Sequence, residues 1–199
     1  LNPQFGTSLE MGTYHRAVLS PNLLLGELSL AAYTMDIKDE LDFQQFKYVN
    51  IGKSRHQGVE TGLKFTIKST VNLFLNYTHQ SAKSQIGEND GKFLKAIPRD
   101  VIVGGVNAVH QSGVGGSIIV KSANRIFLDD ANTITLPNFT TVDARFGYQL
   151  GLISATFDVF NLFNKFYSTT GFPDASGSGQ VYFYPAAERH VRFSLNIQR

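Results

Sequence analysis

The chain has 199 residues, is 42% hydrophobic and 17% charged, and carries a formal charge of +2 with no Cys and no Trp. The lack of Cys excludes thiol catalysis, thiolate metal sites and disulfides, and the small, scattered charge argues against a nucleic-acid partner. No stretch approaches the roughly 18 consecutive apolar residues of a membrane helix. The opening, Leu1 to Gly6, lacks a basic region followed by an apolar one, so either a signal peptide has been removed or the chain begins partway through a longer protein, the second being expected from the strand count below.

Segments of period two recur along the chain and predict nine antiparallel strands, at 5–17, 24–37, 46–67, 70–83, 98–111, 114–126, 139–150, 152–163 and 188–198. In the third, Val59, Leu63, Phe65 and Ile67 alternate with Glu60, Gly62, Lys64 and Thr66, and its length predicts one strand projecting above a membrane. In the seventh, Val142, Ala144, Phe146 and Tyr148 oppose Asp143, Arg145 and Gln149. Ile153, Phe157 and Val159 then oppose Ser154, Thr156 and Asp158, and the last strand sets Val191, Phe193, Leu195 and Ile197 against Arg192, Ser194 and Asn196. Two segments, Ala32 to Ile37 and Val101 to Val109, alternate too weakly to assign faces.

The connections alternate as well. Those at Ser20 to Asn22, Ser69 to Thr70, Ser112 to Gly113 and Gly151 are tight, while those at Asp39 to Gln45, Ser84 to Ala96, Phe127 to Asn138 and Tyr167 to Ala187 are long. Short turns at one end and long loops at the other are the rhythm of outer-membrane barrels. Single-chain bacterial barrels have even strand numbers. Two edges open to lipid would cost several kcal/mol per unpaired backbone group, far above the roughly 5–15 kcal/mol that stabilises a domain. Nine strands therefore predict part of a larger barrel.

Several motifs carry a family resemblance. Leu1 to Gln4 followed by Ser8 to Gly12 resembles L-x-P-E…S-x-E-x-G, with Gln4 in place of Glu. Val49 to Glu60 matches N-x-G-x-x-x-x-x-G-x-E, Ile97 to Arg99 is similar to V-P-x-H, Phe160 to Tyr167 to N-L-F-D-x-x-Y, and Tyr184 to Arg189 to Y-P-x-P-G-R, with Ala187 at the second Pro. Arg199 stands where a terminal aromatic is usual. The chain thus resembles the C-terminal part of a TonB-dependent outer-membrane receptor. That resemblance implies an all-β fold, an antiparallel transmembrane β-barrel of the large plugged type, with the plug domain lying outside residues 1–199. It also implies a bacterial outer-membrane location in contact with lipid, import of a scarce nutrient such as a ferric siderophore, and energy from the TonB-ExbB-ExbD complex. The competing reading is a complete small outer-membrane barrel, a surface protease or lipid-modifying enzyme; a third is a soluble β-sandwich.

The alternation places Glu10, Glu60, Lys64, Asp143, Arg145, Asp158 and Arg192 on the water-facing side, expected to line a lumen. For any single one of them, pairing with an opposite charge on a wet wall is the expected role, while the polar face as a whole supports a lumen. The acidic and basic residues of the last three strands are expected to form a cross-strand ladder; with no cleft apparent, no catalytic residue is expected. The five His lack metal-ligand spacing, with haem coordination by one of them the alternative, and neither a metal site nor a cofactor is expected. Glu88 to Gly91 lacks the closing ligand of a calcium loop. The aromatics from Tyr48 to Tyr184 are expected to form interfacial girdles, while Phe93, Arg125, Phe172 and Tyr182 are the loop residues expected to touch a ligand.

Overall fold

The computed structural model describes residues 1–20, 24–44, 47–174 and 178–197. It is all-β, with fifteen strands: β1 Phe5–Ser20, β2 Leu24–Lys38, β3 Leu41–Gln44, β4 Lys47–Asn50, β5 Lys53–Ile67, β6 Val71–Ser84, β7 Asp100–Val109, β8 Val114–Asn124, β9 Ile126–Phe127, β10 Thr135–Leu136, β11 Phe139–Leu150, β12 Ile153–Phe160, β13 Ser168–Pro173, β14 Val181–Pro185 and β15 His190–Ile197. Nine of them form one antiparallel sheet in the order β1-β2-β5-β6-β7-β8-β11-β12-β15, each next to its neighbour in sequence once the loop hairpins are set aside. The sheet does not close: β1 and β15 are its edges. The other three pairs, β3 with β4, β9 with β10 and β13 with β14, are small hairpins within the long connections.

Because residues directly opposite one another in an antiparallel pair share a face, the register divides the wall into two sets. Arg16 faces Glu27, Glu27 faces Lys64, and Lys64 faces Phe74. Phe74 faces Gly105, Gly105 faces Ile119, and Ile119 faces Asp143. Followed across all nine strands, this path puts Glu10, Glu60, Lys64, Asp143, Arg145, Asp158 and Arg192 on one face. The other face carries Leu9, Leu30, Val59, Leu75, Ile118, Phe146, Phe157 and Leu195, all exposed to solvent. Leu195 is 59% exposed and Phe157 45%. An apolar surface open across a whole sheet is what a soluble protein avoids and a barrel wall in lipid requires.

The register also resolves the two weak segments. Tyr33, Met35 and Ile37 lie on the polar face and Asp36 on the apolar one, an inversion confined to the long-loop end of β2. In β7, Val101 and Val103 oppose Thr78 and Asn76 on the polar face, which blurs the contrast with Ile102 and Val106 on the other.

The structure corrects the long third strand: residues 47–67 are two strands, β4 and β5, separated at Ile51 and Gly52, and β4 leaves the wall to pair with β3. Gly52 takes φ of +85°, where an added Cβ would meet Ile86 at 2.7 Å, so only glycine permits this corner. Residues 21, 22, 45, 46, 198 and 199, which the predicted strands, connections and terminus take in, lie outside the described residues, as do 175–177 of the last long connection. The proposed eighth strand ends early, at Phe160, because Asn161 turns the chain with φ of +49°.

The family-like motifs turn out to be the joints between wall and loops. Asn50 donates to the carbonyls of Asp39 at 2.7 Å and Asn2 at 3.1 Å, and accepts from the Asn2 amide, while Gln4 accepts from the Leu41 amide. Tyr33 lies across Gly58, where a Cβ would sit 2.6 Å from its ring. Asn161, buried, donates to the carbonyls of Lys165 and Ala187 and accepts from the Lys165 amide, while Asn164 accepts from the Arg189 amide.

Candidate functional site

Polar side chains on the wall are grouped where strands meet the long loops. Asp158 is almost fully buried and receives hydrogen bonds from both Arg145 and Arg192, the residues opposite it on the two neighbouring strands. Asp143, expected to join this ladder, lies just beyond the paired part of β12. It bonds Lys121 at 3.1 Å and accepts from the Asn161 amide at 2.9 Å. Arg192 also lies over the Phe160 ring, 5.2 Å from its centre. The two guanidiniums are about half exposed, so the cluster presents net positive charge from a fixed carboxylate. Toward the short-turn end Glu27 stands between Arg16 at 3.9 Å and Lys64 at 3.5 Å. Glu10 on β1 and Glu60 on β5 stand nearer the long-loop ends of their strands than Arg16 and Lys64, Glu10 opposite Tyr33, and Tyr33 donates to Gln80.

Burial shows which face the loops cover. Leaving glycine aside, the buried residues of the nine strands are Ile37, Ser54, Ala82, Ser84, Ala123, Thr141 and Asp158, and the register puts every one on the polar face. All sit toward the long-loop ends of their strands. The loops therefore fold over the polar face, while the apolar face stays exposed below its long-loop rim, where Phe93 and Arg125 reach Lys83 and Asp100.

The loop assembly has its own fastenings. Lys95 reaches Asp42 at 2.6 Å and Asp130 at 3.1 Å, tying three successive long connections to one ammonium group. Burial pushes the Lys95 ammonium down, but the hydrogen bonds it donates to Asp42 and Asp130 outweigh that and hold its pKa above the ordinary lysine value. Burial likewise raises Glu40, yet hydrogen bonds from His56 and Ser54 leave it below the usual glutamate range. Asp129 follows the same pattern, its burial outweighed by the Ile134 and Thr133 amides and the Thr133 hydroxyl. Beneath them Ile126, Leu128 and Leu136 form a small core, joined by Ile134 and Val181.

Of the four loop residues expected to meet a ligand, the structure brings two together. Phe172 and Tyr182 face each other across β13 and β14 with ring centres 5.5 Å apart, Tyr184 adds a third ring, and both remain over 40% exposed. Phe93 is engaged instead: it stacks on Phe127, its ring lies 4.2 Å from the Arg99 guanidinium and 4.7 Å from the Lys83 ammonium, and Asn132 holds its backbone. Arg125 is 3.5 Å from Asp100, with its amide held by Asn138.

A cavity of about 490 Å³ opens beside the β13–β14 hairpin, walled by Phe166, Tyr167, Tyr182 and Phe183 with Asn138 and Lys165 as its polar edge. Six of the aromatics expected in girdles, Phe166, Tyr167, Phe172, Tyr182, Phe183 and Tyr184, thus belong to this hairpin region. Lys95 lies 35 residues from Asp130 and farther still from Asp42, so no local signal in the sequence joins them. Among the described residues no cluster of His, Cys, Asp or Glu could hold a metal ion.

Residues 1–162 match the family model described as TonB dependent receptor-like, beta-barrel. The chain belongs to this family. It is 26% identical over 159 residues to the ferrioxamine receptor of Yersinia enterocolitica, covering 74% of this chain and 21% of that protein. In fold it is similar to the ferric yersiniabactin uptake receptor FyuA from Yersinia pestis, with a TM-score of 0.79 at 22% identity over 98% of this chain and 30% of that one. It is similar also to the copper transporter OprC, with a TM-score of 0.77 at 16% identity over 99% of this chain and 32% of that one. The chain therefore spans about a fifth of the curated relative and under a third of either solved chain. Family and neighbours are receptors and transporters rather than enzymes.

Proposed function

We propose that the chain is the C-terminal part of the barrel of a bacterial outer-membrane receptor that imports a ferric siderophore. The observation that carries this reading is the two-sided wall whose buried residues, glycine aside, all lie on the polar face toward the loops, in a chain that belongs to the TonB-dependent receptor family. Glu10, Glu60, Lys64, Asp143, Arg145, Asp158 and Arg192 of that face then line the lumen, where net-positive Arg145–Asp158–Arg192 meets the plug domain supplied by the parent molecule. Phe172, Tyr182 and Tyr184 stand at the mouth, offering broad aromatic surfaces to a rigid solute. Energy comes from the TonB-ExbB-ExbD complex through the parent protein. Ferrioxamine is the first cargo to test, since a ferrioxamine receptor is among the relatives.

The test is growth on single iron sources. Deleting the full-length receptor should abolish growth on ferrioxamine B or another single ferric siderophore, and a plasmid copy should restore it. Unchanged growth on every ferric siderophore offered, with the receptor expressed, would overturn iron import.

A further inference from the structure

The β13–β14 hairpin has two unlike faces. Phe172 opposite Tyr182, with Tyr184 beside them, makes the surface assigned above to cargo. On the reverse, Val181, Phe183 and Pro185 alternate along β14. That face turns toward the rest of the loop assembly: Val181 packs on the core of Ile126, Leu128 and Leu136, and a Cβ on Gly171 would come within 3.2 Å of both Leu128 and Phe183. The cavity of about 490 Å³ opens on this reverse face, with Phe166 and Tyr167 completing its aromatic wall and Tyr182 at the margin it shares with the cargo surface.

Its walls are held from behind. Asn161 fixes both backbone groups of Lys165, accepting from its amide at 2.8 Å and donating to its carbonyl at 2.9 Å. Tyr167 leans on Phe139 with ring centres 4.6 Å apart, and its carbonyl accepts from the Ala186 amide. The rings within this frame keep much of their surface open, 73% for Phe166 and 46% for Phe183. Apolar, ring-lined walls with a few polar groups at one edge are the usual form of a small-molecule site of this size. The polar edge narrows the choice. The Asn138 side-chain oxygen is taken by the Arg125 amide at 3.3 Å, which leaves its NH₂ group to donate. Lys165, unlike Lys95, has no carboxylate within ion-pair distance among the described residues. Flat ring faces favour a ring over a chain, and an ammonium beside an amide NH₂ favours a negatively charged oxygen.

We propose that this cavity binds an aryl acid, an aromatic ring bearing a carboxylate or phenolate oxygen. The ring lies against Phe166, Tyr167 and Phe183, and the oxygen meets Lys165 and Asn138. The site goes beyond the iron-import reading, since it lies on the reverse of the cargo surface and requires neither iron nor plug. The two can therefore fail separately: growth on a ferric siderophore reports the whole receptor, whereas retention of an aryl acid reports this cavity.

The experiment uses the full-length receptor in detergent micelles and follows 2-hydroxybenzoate by saturation-transfer NMR against empty micelles. Three companion probes separate the requirements: benzyl alcohol has the ring without the charge, hexanoate the charge without the ring, and benzylammonium the ring with the opposite charge. The expected result is saturable binding of 2-hydroxybenzoate about tenfold or more tighter than any companion, weakening as salt rises from about 0.1 to about 0.5 M. Lys165→Met should lower that affinity about tenfold, while Lys92→Met in another loop should leave it unchanged. The iron(III) complex of salicylhydroxamate, titrated in parallel, separates the two sources of such a ring: tighter binding than the free acid assigns it to an arm of a ferric cargo, and equal or weaker binding to a free aryl acid. Hexanoate or benzyl alcohol binding as tightly as 2-hydroxybenzoate, or unchanged affinity in Lys165→Met, would overturn the proposal. The comparison among probes needs no variant and decides the matter even if Lys165→Met does not fold.

Discussion

The wall and the loop assembly above it are stabilised by different means. From Phe5 to Ile197 the wall is fixed by continuous ladders, fourteen or fifteen residue pairs long where β2, β5 and β6 meet, and its side chains need only sort to the correct face. The loops have short hairpins of two to five pairs and depend on particular side chains: Lys95 between Asp42 and Asp130, Asn132 around Phe93, Asn161 under the last long connection. A substitution in the wall should therefore matter by face, whereas one in the loops should matter by the partner it removes.

The largest expected effect is a charge on the apolar face. Phe157→Arg or Leu195→Arg should destabilise the folded receptor in lipid by about 2–4 kcal/mol if the site is near the bilayer midplane, while Thr156→Arg and Ser194→Arg on the other face should be tolerated. Urea unfolding in vesicles reads the difference, and equal damage on both faces would remove the distinction. Next comes Asp158→Ala, which leaves two guanidiniums facing each other without their carboxylate and should cost ~2–3 kcal/mol, between the effects of exposed and buried pairs. Adding Arg145→Ala to it should recover part of that loss in a double-mutant cycle.

Lys95→Met tests the loops. It should leave wall unfolding in place but loosen the mouth by about 1–2 kcal/mol, seen as faster amide exchange in residues 39–52 and 127–134. The same fastening depends on pH in a defined sense. Glu40 and Asp129 have folded pKa values below their unfolded ones, so their contribution is complete above about pH 4–4.5 and fades as pH falls through the lowered values. Lys95 is raised, so its contribution holds below about pH 10.4 and is lost only as pH climbs through the raised value. Loop exchange should thus quicken in acid before the wall unfolds. Smallest in stability is Tyr182→Ala, within about 0.5 kcal/mol as an exposed substitution, yet it should weaken siderophore binding.

Most of the wall can be read from the chain because period two is a local signal: Val142 to Gln149 needs no partner to declare its two faces, whereas Val101 to Val109, with valines on both sides, does. Where hydrocarbon stops acting, the signal stops too. Asp36 can take the apolar side and Ile37 the polar one because both stand at the long-loop end of β2, above the apolar belt. The β3–β4 hairpin was hidden for the same reason, since Lys47 to Asn50 alternates no differently from the strand that follows, and only Gly52 marks the corner. In the loops, Lys95 and its carboxylates are brought together by folding, and nothing near Lys95 in the chain announces either partner. Residue type and position mark Phe172 and Tyr182 as ligand candidates, and folding sets them side by side; the same grounds mark Phe93 and Arg125, which their neighbours hold instead.

The most direct measurement is single-cysteine accessibility along β12 in the full-length receptor reconstituted in vesicles, taking advantage of a stretch with no Cys of its own. Substitutions Ser154→Cys and Thr156→Cys should react with a water-soluble maleimide, while Ala155→Cys, Phe157→Cys and Val159→Cys should be protected from it and respond to a quencher dissolved in the lipid. Reaction without alternation, or with the two sets exchanged, would contradict a wall that turns one face to water and the other to hydrocarbon.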